Sequence, residues 1–183
     1  MNFLFGNKTK LNLSDYNINN TDDFSLNKLF IETRIVSIYD GDTCTCILPV
    51  DKKFYKFNVR LAEIDTCEIT SKNSDNKHLA LEARKRLCKL ISSDFDDMDL
   101  NISKKDLIEK LNKKCYTIKI KCGEFDKYGR LLAWLYNKDS KIDTAVEQSF
   151  NHILIQEKLA YKYEGKTKLT EEEQIRIINN IFI

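Results

Sequence analysis

The chain has 183 residues, of which 42% are hydrophobic and 32% charged, with a formal net charge of +2. That is enough for one domain with a real core, and a charge so near zero excludes a global basic field as the means of holding nucleic acid. No run approaches 18 consecutive apolar residues, so no membrane-spanning helix and no membrane partner is expected. Residues 1–20 are polar and offer no signal-peptide core, so the expected setting is intracellular (cytoplasmic) or virion rather than secretion through a signal peptide. The six cysteines form no Cys-x-x-Cys pair and only two histidines are present. Reduced thiols are therefore expected, without zinc. Gly and Pro are scarce while Asn, Lys and Ile abound, the bias of an AT-rich coding genome.

Residues 1–29 read as a polar N-terminal extension. The pattern changes at Phe30. Phe30–Tyr39 reads as a strand stopped by Asp40-Gly41, Thr43–Leu48 as a second strand ended by Pro49, and Phe54–Leu61 as a third. In the third, alternation places Tyr55, Phe57, Val59 and Leu61 on the core face and Arg60 on the polar face. Asn76–Ile91 has helical spacing, with Glu82 and Arg86 as an i,i+4 pair. An insertion near 92–112 follows, with six acids against three lysines. It holds a short helix capped at Ser103, and its charge should turn it away from any nucleic-acid path. Cys115–Cys122 and Leu131–Tyr136 read as strands four and five. Helices are expected over Phe150–Lys158 and Glu171–Ile181, the latter capped by Thr170 and Glu173. Ile177, Ile178, Ile181, Phe182 and Ile183 should pack that tail on the rest.

Three strands, a helix, two strands and further helices is the order of an α+β, mainly β domain: a five-stranded OB-fold Greek-key barrel with flanking helices spanning 30–183. Element order alone carries no function.

Three of the five glycines stand beside charged and aromatic residues, in 38–43, 126–130 and 163–168. Glycine permits positive φ or close backbone approach. Asp40-Gly-Asp-Thr43 is by itself a plain hairpin turn. Asp42, Asp65 and Glu68 could serve a hard divalent cation, which wants several oxygen ligands; each alone is also an ordinary solvated turn acid. Arg60 and Arg130 could grip a phosphate bidentately; each alone is also a surface ion pair worth under about 1 kcal/mol.

Together, Asp40-Gly-Asp-Thr43, Val59-Arg-Leu-Ala-Glu-Ile-Asp-Thr-Cys-Glu68 and Asp126-Lys-Tyr-Gly-Arg130 resemble the staphylococcal (thermonuclease) nuclease family, over about Phe30 to Lys168. The resemblance implies a calcium-dependent nuclease that hydrolyses DNA and/or RNA. It implies one calcium ion, with other divalent metals as alternatives, held by Asp42, Asp65 and the Thr66 carbonyl, with Asp40 behind them. Glu68 would position or deprotonate the attacking water, and Arg60 and Arg130 would hold the phosphate. Lys127 and Tyr128 match positions that contact a terminal phosphate, and Tyr161 and Tyr163 look like tyrosines flanking base and phosphate. The Tyr163–Lys168 run is similar to the domain end in homologues from bacteria and large DNA viruses. One departure is Cys67, where the family usually has Pro; it loosens the turn before Glu68 and suggests a thiol open to oxidation. The alternative function is a non-catalytic nucleic-acid- or partner-binding domain of the same fold, which would not need all three acids and both arginines.

Overall fold

β-branched and aromatic residues alternating with polar ones set the strands, and a computed structural model, describing residues 12–165 and 167–179, shows how they close. The strands are β1 (Phe30–Ile38), β2 (Thr43–Val50), β3 (Lys53–Leu61), β4 (Ile64–Asp65), β5 (Thr117–Phe125), β6 (Leu131–Tyr136) and β7 (Tyr161–Lys162); the helices are α1 (Ser74–Ile91), α2 (Lys104–Lys113), α3 (Phe150–Gln156) and α4 (Glu171–Ile178). Five strands form a closed barrel in the order β1-β2-β3-β6-β5. All its pairings are antiparallel except β3 with β6. This is the expected α+β, mainly β barrel. Closure leaves the five strands without an unpaired sheet edge. β4 and β7 pair separately, which brings the residues after β3 against those near 161.

The barrel core includes Ile35, Ile38, Cys46, Leu48, Val59, Ile118, Ile120, Leu131 and Leu135. Five of the six cysteines are buried, and all six are free. α1 starts at Asn73, whose side chain accepts from the amides of Asp75 and Asn76, and it buries Ala80, Ala83, Leu87 and Cys88. α2 caps on Ser103 and sets Leu107 and Leu111 into the core. The Thr170–Glu173 capping box of α4 is fully formed. Ile178 packs with Cys67, Ala80 and Tyr161, while Ile177 is exposed. Ile181, Phe182 and Ile183 lie outside the described residues. No described helix is long and apolar enough to cross a membrane.

Several boundaries move. β2 continues through Pro49, which pairs with Phe54 beside the hairpin and is exposed there, a position where a missing N–H is tolerated. β5 runs Thr117–Phe125, two residues later than expected at its start and three at its end, because a bulge lets it continue to Phe125. α3 stops at Gln156, where Leu159 and Ala160 turn back onto the Leu154 carbonyl. Arg86 pairs with Glu157 across to α3 rather than with Glu82, making two 2.6 Å bonds. Tyr55 is exposed because β3 extends beyond the core near its hairpin.

Gly41 is required by contact. A Cβ there would lie 2.5 Å from the Cβ of Ala83 and 2.9 Å from Cγ2 of Thr66. The turn is pressed between α1 and the loop after β4, and this closeness lets Asp42 reach Thr66. Gly41→Ala should therefore destabilise the fold by roughly 1–3 kcal/mol through overpacking, read as a lower urea midpoint with an unchanged m-value; an unchanged midpoint would show that the turn has room.

Candidate active site

Arg60 lies near the end of β3, opposite Thr43 of β2. Alternation places it off the core, yet it is only 8% exposed. This corrects the expectation of an open polar face: the side chain is sunk between two carboxylates. Its Nη1 pairs with Asp42 Oδ1, and its Nη2 donates to Asp65 Oδ1 at 2.5 Å. The β2–β3 meander creates this meeting, since the Leu61 amide donates to the Asp42 carbonyl at 2.7 Å.

Other donors hold both carboxylates. Asp42 Oδ2 accepts from the Thr66 amide at 2.8 Å and from Thr66 Oγ1 at 2.9 Å, and its Oδ1 accepts from Thr43 Oγ1. Asp65 Oδ2 accepts from the Tyr161 hydroxyl, and Lys168 Nζ lies 3.5 Å away. Asp40 Oδ1 accepts from the Asp42 amide. Burial pushes the Asp40 carboxyl up to about 6; the Arg60 charge opposes this and the Glu68 charge adds to it.

A cleft of about 280 Å³ joins these groups. Asp40, Asp42, Asp65 and Glu68 face Arg60, Arg130 and Lys168 across it, with Tyr39, Thr43 and Tyr163 completing the wall. Glu68 is half-exposed and paired with Lys168 Nζ. Burial draws the Lys168 ammonium down, but the Glu68 hydrogen bond and the charges of Asp65 and Glu68 outweigh it and leave it above its usual value.

Arg130 is aimed by its own turn. Asp126 accepts from the amides of Tyr128 and Arg130 and from Arg130 Nε, at 2.9, 2.9 and 2.7 Å, while Gly129 takes φ 75°. Burial raises the Asp126 carboxyl, and these three bonds more than reverse it, so it stays below its usual range. The exposed ring of Tyr128 lies between two cations, Arg130 at 5.4 Å and Lys127 at 5.1 Å. Lys127, Tyr128 and Tyr163 line a larger cleft of about 820 Å³ that shares Arg60 and Arg130 with the smaller one.

One expected residue is placed differently. Tyr161 is buried and lines neither cleft; its hydroxyl holds Asp65, and burial and that bond raise its ionisation well above the usual value. Thr66 is buried and serves Asp42 through its amide and hydroxyl. The Cys67 thiol is also buried; burial pushes it up to about 11, with Asn76 Nδ2 at 3.5 Å. Burial and the raised thiol both run against the expected openness to oxidation, because the thiolate is the reactive form. Lys168 and Tyr39 are site residues that residue-type reasoning passed over. Lys168 ends the Tyr163–Lys168 run, which was the available signal. No residue of 92–112 lines either cleft, although Lys104 of α2 sits 5.3 Å over the Tyr39 ring.

The family described as staphylococcal nuclease homologue matches residues 58–180. The chain belongs to that family. Domains of the staphylococcal nuclease family are of nuclease type and in general bind nucleic acid. The matched segment begins inside β3 and contains Arg60, Asp65, Glu68 and Arg130; Asp40 and Asp42 come from the β1–β2 turn before it. No curated protein matches the chain.

Removing the guanidinium would leave Asp42 and Asp65 buried against each other. Arg60→Met should cost roughly 3–5 kcal/mol of unfolding free energy, with Tyr161→Phe costing about 1 kcal/mol. Denaturant unfolding measures both, and a loss below 1 kcal/mol for Arg60→Met would mean that the ion pairs are not formed in solution.

Proposed function

We infer that this chain is a calcium-dependent nuclease that hydrolyses phosphodiester bonds of DNA and/or RNA. The observation that carries the reading is that Arg60, near the end of β3, and Arg130, on the turn before β6, face one cleft with four carboxylates. A phosphodiester needs charge neutralised on its oxygens and a water aimed at phosphorus. Arg60 and Arg130 offer the planar fork that phosphate fits. Asp126 fixes the angle of Arg130.

Glu68 is the exposed carboxylate of the group, and it is the one suited to position or deprotonate water. In this structure it is paired with Lys168, so the reacting form requires that pair to part. Lys168 would then remain beside the phosphate as a further positive charge. Lys127 and Tyr128 would steady the neighbouring phosphate from the larger cleft, with Tyr163 between the two clefts.

The donor set fits a hard cation. Asp42 and Asp65 present carboxylate oxygens from the β1–β2 turn and from β4, with Asp40 behind them, and no sulfur or imidazole stands among them. Among the described residues, no three His, Cys, Asp or Glu side chains form a ready-made metal cluster; Asp42 and Asp65 are engaged by Arg60 instead. Asp42, Asp65 and the Thr66 carbonyl are the groups that would hold calcium, water supplying the remaining ligands. Bound there, the ion supplies positive charge to the scissile phosphate.

A non-catalytic binding domain of the same fold would not need this arrangement of acids. Single-stranded DNA incubated with calcium, without it, and with a chelator separates the two readings: cleavage only with added metal is expected. Arg60→Ala, Glu68→Ala and Arg130→Ala should each lower the rate about 10²–10³-fold. Wild-type protein that binds the strand and cuts it under no metal condition would establish the binding domain instead.

A further inference from the structure

The outer end of the 820 Å³ cleft is not used by the proposed reaction. Besides Arg60, Arg130 and Lys127 its lining holds apolar Leu61, Ile64, Leu132 and Trp134, together with the acids Glu63, Glu124, Asp126 and Glu164. Three local features shape it. The β5–β6 ladder shifts register between Cys122 and Phe125, and Gly123 lies in the shifted stretch. A Cβ on Gly123 would stand 3.1 Å from the Leu132 carbonyl oxygen and 3.5 Å from the Trp134 ring, so glycine keeps the floor open.

Next to it, Glu124 is braced by residues that precede the barrel. Its carboxylate accepts from Asn27 Nδ2 at 2.6 Å and from Ser25 Oγ at 3.3 Å. That segment is fixed by buried Leu26 and by the Lys28 amide on the Cys122 carbonyl at 2.9 Å. Across the cleft, Glu63 takes φ 64°, a region that disfavours residues other than glycine. Its exposed carboxylate accepts from Trp134 Nε1 at 3.4 Å. Glu63 thus stands beside the indole and Glu124 lines the same cleft, while Lys121 Nζ lies 6.0 Å from the ring centroid.

Such a floor suits a flat nucleobase, which stacks on aromatic rings. Ionised carboxylates only accept hydrogen bonds. They match the exocyclic amino groups of cytosine and adenine and oppose the O4 carbonyl of thymine or uracil. They also repel a second phosphate. We propose that the outer end of this cleft is a nucleobase subsite selecting amino-bearing bases over thymine and uracil, with Trp134 as the platform and Glu63 and Glu124 as acceptors. It rests on the nuclease reading for the direction of the strand, since the cleft opens from the arginines that would hold the phosphate.

Trp134 is the single tryptophan of the chain, so its fluorescence reads this site directly. Titration of the full chain with dCMP, dAMP and dTMP should quench it, with dCMP and dAMP about tenfold tighter than dTMP. Glu63→Gln and Glu124→Gln keep side-chain size and should narrow that ratio to about threefold or less. Equal affinity for dTMP, or a ratio unchanged in both variants, overturns the selectivity. No quenching by any nucleotide, in protein that cuts single-stranded DNA, overturns the subsite and leaves the nuclease standing. Quenching in the expected order, in protein that cuts nothing, supports the subsite and removes the nuclease.

Discussion

The Arg60 guanidinium, buried between Asp42 and Asp65, is the interaction on which the rest of this structure depends. Taking three charges out of water costs several kcal/mol for each ion, and only close pairing with filled lone pairs offsets it. The fold supplies both. Arg60 spans the two carboxylates, Thr43 and Thr66 complete Asp42, and Tyr161 completes Asp65. The elements that deliver these groups are the β1–β2 turn, β2, β3, β4 with the loop after it, and β7. Much of the architecture outside the barrel is explained by this requirement: the short β4–β7 sheet puts Tyr161 under Asp65, and α1 presses Ala83 onto Gly41 so that the Asp42 turn meets Thr66.

Around that buried unit lies a softer layer. Glu68, Lys168, Arg130 and Tyr128 are half-buried or exposed, with contacts near the cleft surface that solvent or substrate can replace. The division has a physical logic. Groups that must keep one geometry are locked by several hydrogen bonds, while groups that must meet a phosphate or a water stay where they can move. Lys168 joins the layers, since it reaches both Glu68 and Asp65.

Much of the fold was legible in the sequence because alternation and helical spacing are direct consequences of a two-faced strand and an amphipathic helix. Ile118, Ile120 and Cys122 are buried together, as their spacing requires. The misjudged points are those where tertiary contact overrides local pattern. Arg60 reads as an outward residue, and only the opposing Asp42 and Asp65 make it buried. The β5 bulge and the Arg86–Glu157 pair depend on neighbours distant in the chain. For the site, Asp42, Arg60, Asp65 and Arg130 were marked by their motif blocks. Lys168 was marked only as the end of the Tyr163–Lys168 run, and its role emerges when Glu68 and Asp65 are placed beside it. Tyr161 and Tyr163 look alike in sequence; strand pairing of β7 buries Tyr161 and leaves Tyr163 at the clefts.

The central proposal is that the two carboxylates gripped by Arg60 are also the seat of a calcium ion, so that arginine and metal share one pair of acids. Titration calorimetry of calcium into the wild-type chain and into Asp42→Asn, Asp65→Asn and Glu68→Gln tests this directly. The account predicts one ion per chain in wild type, its binding heat lost in both aspartate variants and retained in Glu68→Gln. Calcium bound equally by Asp42→Asn and Asp65→Asn, or by none of the four proteins, would contradict it.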